Sequence, residues 1–134
     1  VLETSRRLVE PADATPVVSH TDLHDGQLLW DGTTLGVIDL DGARLAEAAL
    51  DLTNLRAHAE LARLRGSLSA RGLDSIIGWL DDAARRMPTS QARLNAYLDA
   101  ARLRLIFVHS FRPGSRAWLD DWRDHALGGL ANTP

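Results

Sequence analysis

Before Gly42 the apolar residues come in short runs; after it they recur every three or four positions. Short runs broken by turn residues predict strands, and the three-four rhythm predicts amphipathic helices. Residues 1 to 9 carry a weak helical signal, closed by Pro11. Pro16-Val17-Val18-Ser19-His20 reads as extended, its two valines being β-branched. Leu28-Leu29-Trp30 and Gly36-Val37-Ile38-Asp39-Leu40 flank Asp31-Gly32, and Asp-Gly between apolar runs predicts a hairpin.

The helical half divides at its glycines and prolines. From Leu45 to Arg65, Leu50, Ala57, Leu61 and Leu64 keep helical spacing, and Gly66 stands where a C-cap belongs. A second helix is expected from about Leu73 to Met87, with Leu73, Ile76, Ile77, Leu80 and Ala84 on one stripe and Pro88 as the stop. Thr89 or Ser90 caps a third, whose face is Leu94, Tyr97, Leu98, Ala101, Leu105 and Val108, ended by Pro113-Gly114. Ser115 is placed as the cap of a fourth, with Trp118, Leu119 and Trp122 inward and Gly128 beyond its end. The expected class is α+β, mainly α: a small β-hairpin region followed by a helical bundle.

Composition narrows the chemistry. A chain of 134 residues allows one domain, and a net charge of −3 lacks the basic footprint of a nucleic-acid binder. No apolar run is long enough to span a bilayer and no signal segment opens the chain, so the expectation is a cytoplasmic protein with no membrane partner. Cysteine is absent, which removes thiol nucleophiles and thiolate metal sites. All fifteen basic residues are arginine, so no lysine chemistry can come from this chain.

Polar chemistry concentrates between His20 and Asp51. The segment reads His20-Thr21-Asp22-Leu23-His24-Asp25-Gly26-Gln27, followed across the hairpin by Ile38-Asp39-Leu40-Asp41. An Asp, an amide five residues later and a second Asp beyond a hairpin form a layout that phosphoryl transfer uses. One carboxylate orients and deprotonates a hydroxyl, while an amide oxygen and the other carboxylate hold magnesium. The hairpin folds the chain back so that Asp39 returns beside Gln27.

This segment resembles the catalytic loop of the aminoglycoside phosphotransferase and choline kinase superfamily, which has a protein-kinase-like fold. Members read roughly His-Gly-Asp-Leu-His-x-x-Asn, then Ile-Asp-Phe or Ile-Asp-Trp, then a downstream Asp-Leu-Ala. Here the corresponding stretches are His20 to Gln27, Ile38-Asp39-Leu40-Asp41 and Leu50-Asp51-Leu52. The resemblance is strongest over residues 17 to 57 and implies a small-molecule kinase that uses Mg2+ and ATP or GTP. It implies Asp22 as catalytic base and Gln27 and Asp39 as magnesium ligands. His20, His24 and Asp51 become supports of the loop and of the cofactor site. Gln27 stands where the family has Asn, and Leu40 where it has an aromatic residue.

The family places a nucleotide-binding lobe, with a phosphate-pairing lysine, before this loop. Nineteen residues precede His20, without glycine or lysine. Residues 1–134 are therefore expected to be a C-terminal catalytic-loop and helical lobe that works with an N-terminal lobe in cis, on a small-molecule hydroxyl acceptor. By itself this lobe is expected to be inactive. Two other functions stay open: a non-catalytic helical binding module that keeps the loop as structure, and a metal-dependent hydrolase using His20, Asp22 and His24. His58, His109 and His125 show no partner pattern and read as incidental. Asp81-Asp82 and Asp120-Asp121 read as solvated helix faces, and the four tryptophans as packing residues.

Overall fold

The computed structural model describes residues 2–9 and 15–131. Helix α1 (Leu2–Val9) leads to strand β1 (Val17–Ser19), and the closure expected at Pro11 lies outside the described residues. A loop then reaches the hairpin of β2 (Leu28–Trp30) and β3 (Leu35–Val37), followed by β4 (Arg44–Ala46). Four longer helices complete the chain: α2 (Ala48–Leu64), α3 (Ala70–Ala84), α4 (Gln91–Ser110) and α5 (Leu119–Ala131). The protein is α+β and mainly helical. Among the described residues no helix is long and apolar enough to cross a membrane.

Two small antiparallel sheets carry the loop between them. In one, β2 pairs with β3 in the register Leu28↔Val37, Leu29↔Gly36, Trp30↔Leu35. The connection is longer than an Asp-Gly pair: Asp31 Oδ1 accepts the N–H groups of Thr33 and Thr34, each at 2.8 Å, and organises a four-residue turn. In the other sheet, β1 pairs with β4 (Val17↔Ala46, Ser19↔Arg44). The helix expected from Leu45 starts later: pairing with β1 holds Arg44–Ala46 extended, and α2 begins at Ala48.

Helix α2 is the hub, packed against α3, α4 and α5. The core joins Ala57 and Leu61 of α2 to Leu98, Ala101 and Leu105 of α4 and to Trp122 of α5, which is completely buried. Alanines at this contact let the helices approach closely. Helix α4 also meets α1 and α5, so its apolar residues spread over more than one face. Gly66, at φ 78°, supplies the left-handed turn after α2, and Ser90 rather than Thr89 caps α4 by accepting the Arg93 N–H at 3.2 Å. Ser69 caps α3 in the same manner, an N-terminus about three residues earlier than the periodicity suggested.

Two expectations about the last helix are corrected. Ser115 lies in a separate short turn, its hydroxyl 3.4 Å from His109 Nδ1, so it does not cap α5. Gly128 does not end α5, which continues through Gly128-Gly129 to Ala131. A Cβ at position 129 would lie 2.6 Å from Arg102 Nη1, so glycine admits the close passage of that guanidinium. Of the tryptophans, Trp122 and Trp118 do pack, whereas Trp30 and Trp79 are 64% and 70% exposed.

Beside the core, buried Glu60 of α2 accepts two hydrogen bonds from Arg102 of α4, both at 2.8 Å, and lies 3.2 Å from His125 of α5. His125 is thus part of the interhelical network. Burial raises the Glu60 pKa, but the bonds from His125 and Arg102 outweigh it and bring the carboxyl from 4.5 to about 2. A depressed carboxyl pKa stabilises the fold above the unfolded value, and that contribution disappears as pH falls from about 4.5 through 2, on the order of 3 kcal/mol in all. Glu60→Gln should therefore be less stable at pH 7 and should flatten the acid limb of a urea-unfolding pH series.

Candidate functional site

The loop after β1 is held by one carboxylate. Asp51, in the first turns of α2, accepts the His20 N–H at 2.6 Å on one oxygen and the Thr21 N–H at 2.8 Å on the other. Both bonds are charge-assisted. Thr21 sits at φ 73°, a region that β-branched residues avoid, and its hydroxyl donates to Gly42 O at 3.2 Å. The buried His20 ring turns the other way, its Nε2 within 2.8 Å of Ile38 O. Helix, loop and hairpin are thereby tied together at two consecutive residues.

The hairpin brings Gln27 and Asp39 together. Ile38 N donates to Gln27 O at 3.1 Å, extending the β2–β3 ladder by one bond, and the next residue, Asp39, takes φ 64°. Gln27 Nε2 then lies 3.0 Å from Asp39 Oδ2 and 3.4 Å from His24 Nε2. Gly26 N–H donates to His24 Nδ1 at 3.0 Å, which leaves the ring proton on Nε2. The amide therefore faces a donor with its own donor. Turning it over satisfies His24 but sets Oε1 against the Asp39 carboxylate. A hard cation between those two oxygens removes the conflict.

Asp22 faces the helical side. Its Oδ1 lies 2.9 Å from Arg104 Nη2 on α4 and 3.4 Å from Asn54 Nδ2 on α2. Asn54 is anchored in turn by donating to Leu23 O at 2.9 Å. Oδ2 of Asp22 has no partner among the described residues, and Asp22 lines a cleft of about 330 Å³. His24 and His58 line the same cleft, their rings stacked at 4.7 Å and 17°. Burial first, then the neighbouring His24, lowers the His58 pKa to about 4, so this ring is neutral at pH 7.

His20, Asp22 and His24 do not form a common ligand group. Among the described residues the group with ligand atoms within 4.8 Å of one another is His24, Asp25 and His58. The two imidazoles in it are nearly parallel, so their in-plane lone pairs run side by side and do not converge on one ion.

A sequence model of the phosphotransferase enzyme family matches residues 2–85. The chain belongs to this family. Comparisons with curated proteins and with solved structures give no match. The phosphotransferase match covers α1 to α3, with the whole loop and hairpin, and stops before α4. Arg104 therefore reaches Asp22 from outside the matched segment.

Sequence reasoning missed Arg104, Asn54 and His58. Asn54 and His58 follow Asp51 at steps of three and four, one face of α2, which is a usable signal. Arg104 gave none. The clamp itself is testable: Asp51→Ala strands two amides and should cost about 2 kcal/mol or more in urea unfolding. Hydrogen exchange at His20 and Thr21 should accelerate with it, and Asp51→Asn, with one acceptor left, should fall between.

Proposed function

We propose that the chain is the catalytic-loop lobe of a phosphotransferase that moves the γ-phosphate of ATP or GTP to a hydroxyl of a small molecule. The observation that carries this is that one loop and its hairpin present two carboxylates: Asp22 lines a cleft with His24 and Gly26, and Asp39 meets the amide of the adjoining Gln27. In this reading the acceptor enters the cleft and the nucleotide phosphates lie at the hairpin. Arg104 and Asn54 fix Oδ1 of Asp22, and its free Oδ2 accepts the hydroxyl proton as the oxygen attacks.

Gln27 and Asp39 fit the magnesium that the family uses. Both offer hard oxygens: Gln27 Nε2 donates to Asp39 Oδ2 at 3.0 Å, so turning the amide over would present its Oε1 to an ion beside that carboxylate. When bound there, magnesium neutralises charge on the phosphate oxygens. The exposed apolar side chains Val18, Leu29, Trp30, Leu35 and Leu45 around the two sheets support a second, nucleotide-binding lobe seated against them.

Asp22→Asn in the full-length protein should lower turnover by roughly 10²-fold or more. Because Asp22 and Arg104 are both about half exposed, stability should change by less than ~1 kcal/mol. A variant that melts like wild type and keeps most of its activity would defeat the base assignment and favour a non-catalytic binding module. Asp39→Asn should greatly raise the magnesium concentration needed for turnover, since a charged ligand is lost. Gln27→Asn keeps the amide oxygen and should have a mild effect.

A further inference from the structure

The cleft beside Asp22 has a charge pattern that narrows the acceptor. Three arginines line it, Arg65, Arg104 and Arg112, against two carboxylates, Asp22 and Asp25. Arg104 is committed to Asp22. Arg65 and Arg112 have no carboxylate partner among the described residues. Arg65 rests over the Trp118 ring at 5.1 Å, which steadies the guanidinium and leaves its N–H edges available.

These two cations act at one end of the cleft: His109 meets the edge of the same Trp118 ring at 4.9 Å, and Arg112 N–H donates to His109 O at 3.1 Å. Burial, then Arg112 and Arg65, lowers the His109 pKa. His58 is neutral at pH 7 and offers hydrogen bonds without added charge, and His109 is shifted in the same direction. Arg65 follows His58 by seven residues along α2 and its cap, and at 1.5 Å per residue that is roughly 10 Å from the Asp22 end. The acidic pairs Asp81-Asp82 and Asp120-Asp121, which would attract a cationic acceptor, do not line this cleft.

We propose that the cleft takes a hydroxylated small molecule bearing an anionic group, a carboxylate or a phosphate. The hydroxyl lies at Asp22 and the anion at Arg65 and Arg112, several carbons away. This rests on the reading of Asp22 as the base, and it directs the enzyme away from polyamine acceptors. Arg65 lies within the segment matched by the family and Arg112 beyond it.

The test uses four six-carbon probes of one backbone: sorbitol, gluconate, sorbitol 6-phosphate and the cationic glucamine. Each is titrated calorimetrically into the full-length protein at low salt, alongside separate Mg·ATP titrations. Gluconate or sorbitol 6-phosphate should bind about tenfold tighter than sorbitol, with glucamine weakest. Comparing the two anions tells carboxylate from phosphate. Arg65→Gln with Arg112→Gln should abolish the preference and leave Mg·ATP affinity unchanged. Arg112→Glu alone, which disturbs no ion pair, should shift the preference toward glucamine. Equal binding of all four probes, no binding of any, or a preference that survives the double substitution would overturn the proposal. An anion preference without Mg·ATP binding would uphold the anion site and defeat phosphotransfer instead.

Discussion

One carboxylate, that of Asp51, fixes the polar half of the molecule to the helical half. Its two oxygens take two successive backbone N–H groups, a geometry that leaves the loop little rotational freedom. The left-handed conformation of Thr21 persists because these bonds, with the Thr21 hydroxyl on Gly42, over-determine it. From that fixed point the His20 ring reaches Ile38 O, which positions the hairpin, and the hairpin presents Asp39 to Gln27. The arrangement of the loop and hairpin residues descends from this one contact.

Charge is used in two ways in this fold, and burial decides between them. Around Glu60 the guanidinium of Arg102 and the carboxylate are both enclosed, so removing either takes the main partner from a buried charged group. Asp22 and Arg104 are close but wetted, and an exposed pair contributes at most ~1 kcal/mol to stability. The first network holds α2, α4 and α5 together. The second orients one oxygen at little energetic cost.

Much of the fold was legible in the sequence. The helices announced themselves through apolar spacing, Gly66 and Pro88, and the loop residues through types fixed at short spacings along the chain. What was not legible depends on partners distant in sequence. Arg44–Ala46 has no strand signal of its own and is a strand only because β1 lies beside it. Gly128-Gly129 reads as a stop, yet Arg102 makes that site favour glycine and the buried Trp122 and Ala126 anchor the helix around it. In the site, Asp22, Gln27 and Asp39 stood out locally, whereas Arg104 becomes relevant only after α4 has docked on α2. His58 read as incidental because its partner, His24, is thirty-four residues earlier.

Asp51, Asn54, His58, Leu61 and Arg65 fall on one face of α2, at alternating steps of three and four. The loop clamp, the Asp22 bracket, the cleft wall and its distal cation are thus set by the phase of a single helix. An insertion of one residue between Asn54 and His58 would rotate everything after it by about 100° about the axis, and the two ends of the cleft would no longer face each other. Seven added residues, nearly two turns, would restore the phase and lengthen the cleft by about 10 Å. Along this helix, length variation is tolerable only in whole turns, and such a change would alter the size of molecule the cleft admits.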